Sequence, residues 1–210
     1  MRAGGGVGGI SGAPGIPGIP EATGAPGPRT DAGGRDLDVL VTIGVSVAVP
    51  DPFGARIQDA RAGYGDPLAR ATPTHVTLLP PTEVPAYRLA EIEGHLAAAA
   101  ARHRPFPVLL RGSGTFRPVS PVVYVRLDAG TRECRVLEAA VRSGPLAREL
   151  AFPYHPHVTV AHNVGEPALD RAYADFRGFR AEFTVPGFSL YRFGIDRVWR
   201  PQRGFRFPDQ

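Results

Sequence analysis

Cysteine is almost missing from this chain, and lysine is missing altogether. Cys134 is the only cysteine, which excludes an intrachain disulfide and a zinc site built from cysteines. Because no lysine occurs, arginine supplies all 24 basic side chains behind the formal net charge of +4. Abundant Ala, Gly and Pro accompany the arginine, a composition typical of GC-rich genomes. The basic balance is therefore only weak support for binding nucleic acid.

Long apolar runs are also absent. Hydrophobic residues make up 43% of the 210 positions, enough for a substantial core. No continuous stretch has the length of a membrane span or of the apolar segment in a secretory signal. Together with the single cysteine, this predicts a cytoplasmic protein without a membrane partner. No pattern indicates an obligate protein partner, and we expect a monomer.

The first part of the chain differs in composition from the rest. Residues 1–36 are dominated by Gly and Pro and contain no aromatic side chain. They show no helical or strand period that could bury apolar surface, so we expect a disordered tail. Gly-Ile-Pro repeats resemble collagen, but strict Gly-X-Y spacing lasts only a few triplets, too few for a triple helix. Residues 37–210 are predicted to form a single bilobal domain.

A duplicated pattern of elements follows the tail. Apolar residues at every second position predict a strand within residues 38–49. The order strand, helix, strand, helix, strand then describes two units, at about 38–111 and 121–207. In the first unit, Thr82 and Pro85 are predicted to open an Ala-rich helix. The duplication predicts an α+β fold of two lobes, in which two sheets flank a central cleft and helices lie outside.

Each unit contains the tripeptide His-Val-Thr, at residues 75–77 and 157–159. On a strand, His and Thr share one face while the Val between them points into the core. A two-fold relation between the units would place the two pairs on either side of a shared cleft. Two imidazoles and two hydroxyls would then provide two acid/base groups and two neutral hydrogen-bond donors. In-line displacement at a phosphodiester needs such a set.

The chemistry of such a site can be stated for a 2',3'-cyclic phosphate. Its opening by water needs a base that deprotonates water and an acid that protonates the departing ribose oxygen. Imidazole, with an ordinary pKa of about 6.5, can fill either role, so a bell-shaped pH profile is expected. Thr77 and Thr159 can donate hydrogen bonds to the non-bridging oxygens. The reaction requires neither a metal nor a cofactor.

Two alternatives to this interpretation are open. A cluster of His155, His157 and His162 raises the possibility of a metal site. However, Pro156 disrupts regular strand pairing there, and no acidic residue lies close by in the sequence, so we predict no metal. The other alternative is a module that binds nucleotides or RNA with little or no turnover. The intact His-x-Thr pairs argue against it.

Several segments resemble the 2H phosphoesterase superfamily. They are the two His-x-Thr motifs about eighty residues apart, the Gly-Ser-Gly-Thr-Phe segment at residues 112–116, and the C-terminal strand that contains Trp199. Within the superfamily, the chain is similar to the bacterial 2'-5' RNA ligase and RNA 2',3'-cyclic phosphodiesterase branch over about residues 38–207. The resemblance implies a bilobal LigT-like fold.

The same resemblance implies an activity and roles for four residues. The activity is metal-independent chemistry on 2',3'-cyclic phosphates of RNA ends or small nucleotides, possible in reverse as 2'-5' RNA ligation. The family's catalytic positions correspond to His75, Thr77, His157 and Thr159. In hydrolysis, the resemblance assigns His157 as the base and His75 as the acid, and ligation exchanges these roles.

Substrate recognition is where the chain departs from the family. RNA-acting bacterial members usually continue the second motif as H-x-T-x-x-R, whereas this chain has His162 at the position of the arginine. Histidine can donate a hydrogen bond but lacks the permanent charge and the fork of arginine. Phe116, Arg117 and Tyr154 are further candidates for binding substrate, through base stacking or phosphate pairing. The same three residues would also suit core, rim or solvated positions.

Overall fold

A computed structural model of the protein describes residues 39–149 and 152–209, so the predicted tail at residues 1–36 lies outside the described residues. Eight strands and four α-helices alternate along the described chain. They are β1 (Leu40–Ala48), α1 (Phe53–Gly63), β2 (His75–Pro85), α2 (Leu89–Ala101), β3 (Phe106–Thr115), β4 (Val122–Ala129), α3 (Thr131–Val141), β5 (His157–His162), α4 (Glu166–Asp175), β6 (Arg180–Val185), β7 (Gly187–Phe193) and β8 (Trp199–Arg206). Within these residues, no helix combines the length and the apolar character needed to cross a membrane.

The predicted order of elements is confirmed, but the start of α2 is not where the sequence placed it. Strand β2 continues to Pro85, which pairs with Leu40 of β1. A short 3-10 turn follows, and α2 begins only at Leu89. The pairing with β1 extends the strand because tertiary contacts outweigh the local start signals at Thr82 and Pro85.

All eight strands belong to one sheet, with the order β6-β3-β4-β5-β2-β1-β7-β8. Every pairing in it is antiparallel. The two predicted sheets therefore correspond to two four-stranded halves of a continuous sheet. The halves meet where β2 lies beside β5, through the single residue pair Val76 and Val158.

Neither half of the sheet is built from one sequence unit alone. Strand β3 lies between β4 and β6, although most of it comes from the first unit. Strand β7 pairs with β1 and carries β8, although both come from the second unit. The predicted lobe ranges 38–111 and 121–207 are thus corrected: each half exchanges strands with the other. A strand period shows that a strand exists but does not show its partner.

The helices cover one face of the sheet. Their buried residues, among them Ile57, Leu96, Leu137 and Leu169, join the apolar side chains of the strands in one core. The middle residues of both tripeptides, Val76 and Val158, also lie in this core. Because side chains alternate along a strand, the histidines and threonines beside them face the opposite side of the sheet.

Candidate active site

The two His-Val-Thr motifs lie next to each other at the junction of the two halves. Val76 pairs with Val158 in an antiparallel register. That register sets His75 beside Thr159 and Thr77 beside His157 on the same face. The two histidines are then diagonal neighbours, whose Cα atoms lie about 7–8 Å apart in a regular sheet.

The two imidazole rings are held in the same way. Nδ1 of His75 lies 2.6 Å from the Pro73 carbonyl oxygen, and Nδ1 of His157 lies 2.7 Å from the His155 carbonyl oxygen. Since a carbonyl oxygen can only accept, Nδ1 carries the proton in each neutral ring. The lone pair of Nε2 is therefore available on the other side of the ring. In His75, Nε2 accepts a hydrogen bond from the Thr77 hydroxyl at 3.1 Å.

Burial determines the acid/base properties of both rings. Loss of hydration lowers the pKa of His75, and the nearby charge of Arg61 lowers it further, while the hydrogen bond to Pro73 acts in the opposite direction. Loss of hydration also lowers the pKa of His157 from 6.5 to about 4, and the neighbouring His155 and His75 add to this effect. Both histidines are thus predominantly neutral at pH 7 in the free protein.

Aromatic rings surround His157. The Phe116 and Tyr124 rings have their centroids 4.9 Å and 5.2 Å from that of His157. The His155 ring packs edge-on against Phe116 at 5.4 Å. Tyr124 lies over Gly114, where a Cβ would come within 2.6 Å of its ring. The structure therefore places Phe116 beside His157, together with Tyr124, which the sequence analysis missed as one apolar residue among several in a strand.

Tyr154 does not face the cleft, contrary to its assignment as a substrate-binding residue. Its ring packs against the core, and Cys134 and Glu138 of α3 lie near its hydroxyl. The hydroxyl donates a hydrogen bond of 2.8 Å to the Thr77 carbonyl oxygen. Burial raises the pKa of Tyr154, so the hydroxyl stays a neutral donor. Tyr154 thus holds β2 in place beneath Thr77.

Arg117 also differs from its predicted role. Its guanidinium pairs with the carboxylates of Glu166 and Asp170 on α4. Its Nε also lies 3.3 Å from the Thr115 hydroxyl. Two carboxylates already compensate the charge of Arg117, so it ties the end of β3 to α4 and is not free to pair with a phosphate.

His162 occupies the end of β5, opposite Val122. Its odd spacing from His157 would place it on the other face of a regular strand. A register shift between Val123 and Tyr124 leaves Val160 as an extra residue in β5, which returns His162 to the face of His157. Burial lowers the pKa of His162, while Asp66 raises it and Arg61 lowers it.

Arg61 is a buried arginine that the sequence analysis missed. It forms an ion pair of 3.1 Å with Asp66, and the two side chains are only 6% and 0% exposed. Arg61 also donates to the Thr72 carbonyl oxygen at 3.1 Å. A permanent positive charge therefore lies near His75 and His162, but it comes from α1 and not from the second motif. No sequence signal marked it, because the positions of α1 and β2 are related only by the fold.

Ser46 and Tyr191 lie on the β1 and β7 side of the motifs, away from Phe116. Ser46 of β1 pairs with Thr77 and with Ser189 of β7. The Tyr191 hydroxyl lies near the Ser46 side chain. Across residues 39–149 and 152–209, no three His, Cys, Asp or Glu side chains come together as a metal-binding group.

Comparisons of sequence agree with this geometry. A family model described as the 2'-5' RNA ligase superfamily matches residues 49–197. A Bacillus cytotoxicus protein named "Putative phosphoesterase" is 29% identical over 158 residues, covering 71% of this chain and 89% of the relative. A Bacillus thuringiensis protein of the same name is 30% identical over 159 residues, covering 71% of this chain and 90% of the relative.

Comparisons of structure show the same fold. Escherichia coli LigT complexed with 3'-AMP aligns with a TM-score of 0.56 and 22% identity, covering 81% of this chain and 100% of LigT. A Thermus thermophilus protein aligns with a TM-score of 0.58 and 23% identity, covering 80% of this chain and 99% of that protein. The predicted LigT-like α+β fold is confirmed. With its paired His-x-Thr strands and the family match over residues 49–197, the chain belongs to the 2'-5' RNA ligase superfamily of 2H phosphoesterases.

Proposed function

We propose that the protein is a metal-independent phosphodiesterase that hydrolyses 2',3'-cyclic phosphates of RNA ends or small nucleotides. Ligation through a 2'-5' bond is the same chemistry in reverse. Family membership and the names of the Bacillus relatives support a phosphoesterase. The finer proposal depends on one observation: His75 and His157 both bind a backbone carbonyl through Nδ1, so both direct Nε2 away from it.

The proposed reaction uses the two histidines on opposite sides of phosphorus. His157 Nε2 takes a proton from a water molecule, and the water oxygen forms a bond to phosphorus. The bond from phosphorus to one ribose oxygen breaks on the opposite side, and His75 donates its Nε2 proton to that oxygen. The product is a ribose monophosphate with one free hydroxyl. At the end, His157 carries the proton that His75 has lost, and exchange with solvent restores both.

The pKa of His157 agrees with its role as the base, whereas His75, whose pKa is also lowered, depends on the bound substrate for its protonation. His157, whose pKa is lowered to about 4, is neutral at pH 7, as a base must be. His75 must begin protonated, and the negative charge of a bound phosphate favours its imidazolium form. The hydroxyls of Thr77 and Thr159 are neutral donors beside the two rings. They are positioned to bind the non-bridging oxygens as charge develops there.

Two features support a nucleotide substrate. E. coli LigT, which has the same fold, has been crystallised with 3'-AMP and with ATP. In this chain, the partly exposed Phe116 ring beside His157 offers an apolar surface at the phosphate position. His162 can donate one hydrogen bond at the end of β5, but Arg117 and Tyr154 are left out because their side chains are engaged elsewhere.

The test is turnover in the presence of a chelator. Purified protein is incubated with nucleoside 2',3'-cyclic phosphates and with cyclic-ended RNA, and the monophosphate is identified. His75→Ala and His157→Ala should each lower kcat by about 10²- to 10⁴-fold. His95→Gln is a matched control, because His95 binds the Val141 carbonyl oxygen between α2 and α3. Binding without turnover would instead favour a nucleotide-binding module, and full activity of both alanine variants would refute the mechanism.

A further inference from the structure

We infer that Trp199 and Tyr191 form a nucleobase-binding subsite on the far side of the histidine pair from Phe116. The inference rests on the proposed function, because it concerns the nucleoside attached to the proposed scissile phosphate. It assigns that nucleoside to the half of the sheet formed by β2, β1, β7 and β8. The ligand would be a purine or pyrimidine ring stacked on the Trp199 indole.

The first argument is that these side chains share the face of the motifs. Ser46 pairs with Thr77 and so lies on the same face of the sheet. Gly44 is two residues from Ser46, and no register shift interrupts this stretch of the β1–β7 pairing. Tyr191 pairs with Gly44, and its hydroxyl lies near the Ser46 side chain. A continuous path of cross-strand neighbours therefore leads from Thr77 to the Tyr191 ring.

The second argument concerns the bare backbone at Gly44. A Cβ at this position would lie 3.2 Å from the Trp199 six-membered ring. That Cβ would point to the same face as the Ser46 side chain, so the indole lies over the cleft face of β1. Glycine lets the indole approach the strand closely. The backbone N–H of Trp199 also donates to the Ala71 carbonyl oxygen at 2.9 Å, which fixes the start of β8.

The third argument is accessibility. Trp199, Tyr191 and Phe193 are all partly exposed, whereas the core aromatic residues Phe188 and Phe205 are buried. The Phe193 ring supports the indole from one side, with a centroid distance of 5.0 Å. A supported aromatic ring that keeps an exposed surface is suited to stacking on a base.

The fourth argument is distance. Strand β7 is two strands from β2, and Tyr191 lies two residues along β7 from Ser189, which is in register with Thr77 through Ser46. Two strand spacings and two residue rises place Tyr191 about 12 Å from Thr77 in a regular sheet. The ribose and base of one nucleotide extend over a distance of this order from the phosphate. His75, the proposed acid toward the leaving ribose oxygen, lies on β2, the nearer of the two motif strands. The nucleoside that carries the leaving oxygen would therefore extend toward Trp199.

The test uses the fact that Trp199 is the only tryptophan in the chain. Tryptophan emission of the unmodified protein is titrated with 3'-AMP in chelator, and inorganic phosphate and ribose 5-phosphate serve as ligands without a base. Stacking should quench the emission saturably with 3'-AMP alone. Equal quenching by phosphate, saturable calorimetric binding of 3'-AMP without quenching, or no binding at millimolar 3'-AMP would each overturn the inference.

A kinetic measurement provides an independent test. The ratio of kcat/KM for adenosine 2',3'-cyclic phosphate to that for methyl riboside 2',3'-cyclic phosphate measures recognition of the base. Trp199→Ala should lower this ratio at least about 5-fold. Tyr87→Ala, a change of an exposed aromatic residue just beyond the far end of β2, should leave it unchanged. An unchanged ratio in Trp199→Ala would refute the subsite, whereas absence of turnover with base-specific quenching would refute only the proposed function.

Discussion

Removal of the Phe116 ring should raise the pKa of His157. Burial lowers this pKa from 6.5 to about 4, which corresponds to at most about 3 kcal/mol in favour of the neutral ring. Phe116 and Tyr124 are the two carbon-ring neighbours of His157, at 4.9 Å and 5.2 Å. Phe116→Ala admits water to one side of the imidazole. Recovery of about half of the effect would bring the pKa to about 5.

Two assays follow this change. An NMR pH titration of the His157 ring protons, assigned with a His157→Ala variant, measures the pKa without substrate. The acidic limb of the kcat/KM pH profile should move to higher pH by the same amount, since this limb reports the pKa of the base in the free enzyme. Phe116→Leu is the control, because it keeps an apolar cover over the ring and should leave the pKa near 4. A pKa that does not rise in Phe116→Ala would show that the aromatic rings do not cause the shift.

Four other outcomes are expected. The maximum of kcat/KM should lie below pH 6.5, because the pKa values of both His157 and His75 are lowered; a maximum above pH 7 would contradict the assignment. Because the folded state disfavours protonation of His157, the neutral ring makes its full contribution to the free energy of unfolding above pH 6.5, and this contribution is lost as the pH falls through about 4. In urea unfolding, His157→Gln should therefore lose less stability than the unmodified protein over this pH range. Tyr154→Phe should lower the free energy of unfolding by about 1 kcal/mol, since it removes the donor to the Thr77 carbonyl oxygen. Arg117→Gln should leave KM within about two-fold of the unmodified protein, because Arg117 pairs with carboxylates on α4. A large rise in KM would show that Arg117 binds substrate.

The order of elements and the two motifs could be predicted because they depend on local periods. The Val-rich alternation in β1 and the His-Val-Thr spacing each determine which side chains share a face. The family resemblance then implied that these faces meet. The register at Val76 and Val158 agrees with that expectation.

The residues around the motifs were harder to predict because they depend on contacts between distant segments. Arg117 forms ion pairs with carboxylates on α4, a helix about fifty residues away in the sequence. Tyr154 points toward the core, where its hydroxyl donates to the Thr77 carbonyl oxygen. The face of His162 depends on one extra residue, Val160, which a period of two does not reveal. Pairing partners of this kind are set by the tertiary fold, so a single sequence carries little signal for them.

The exchange of strands between the two halves has a consequence for how the molecule holds together. It makes the chain the intramolecular counterpart of a domain-swapped dimer, since each half contains strands that the other unit supplies. A cut between β3 and β4 would leave the two fragments joined through the β3–β4, β3–β6, β1–β7 and β2–β5 strand pairs. Either fragment alone would expose unpaired strand edges, and such edges favour aggregation. The strand pairings of the whole sheet therefore keep the two histidine strands side by side, although these two strands share only one paired position, Val76 and Val158.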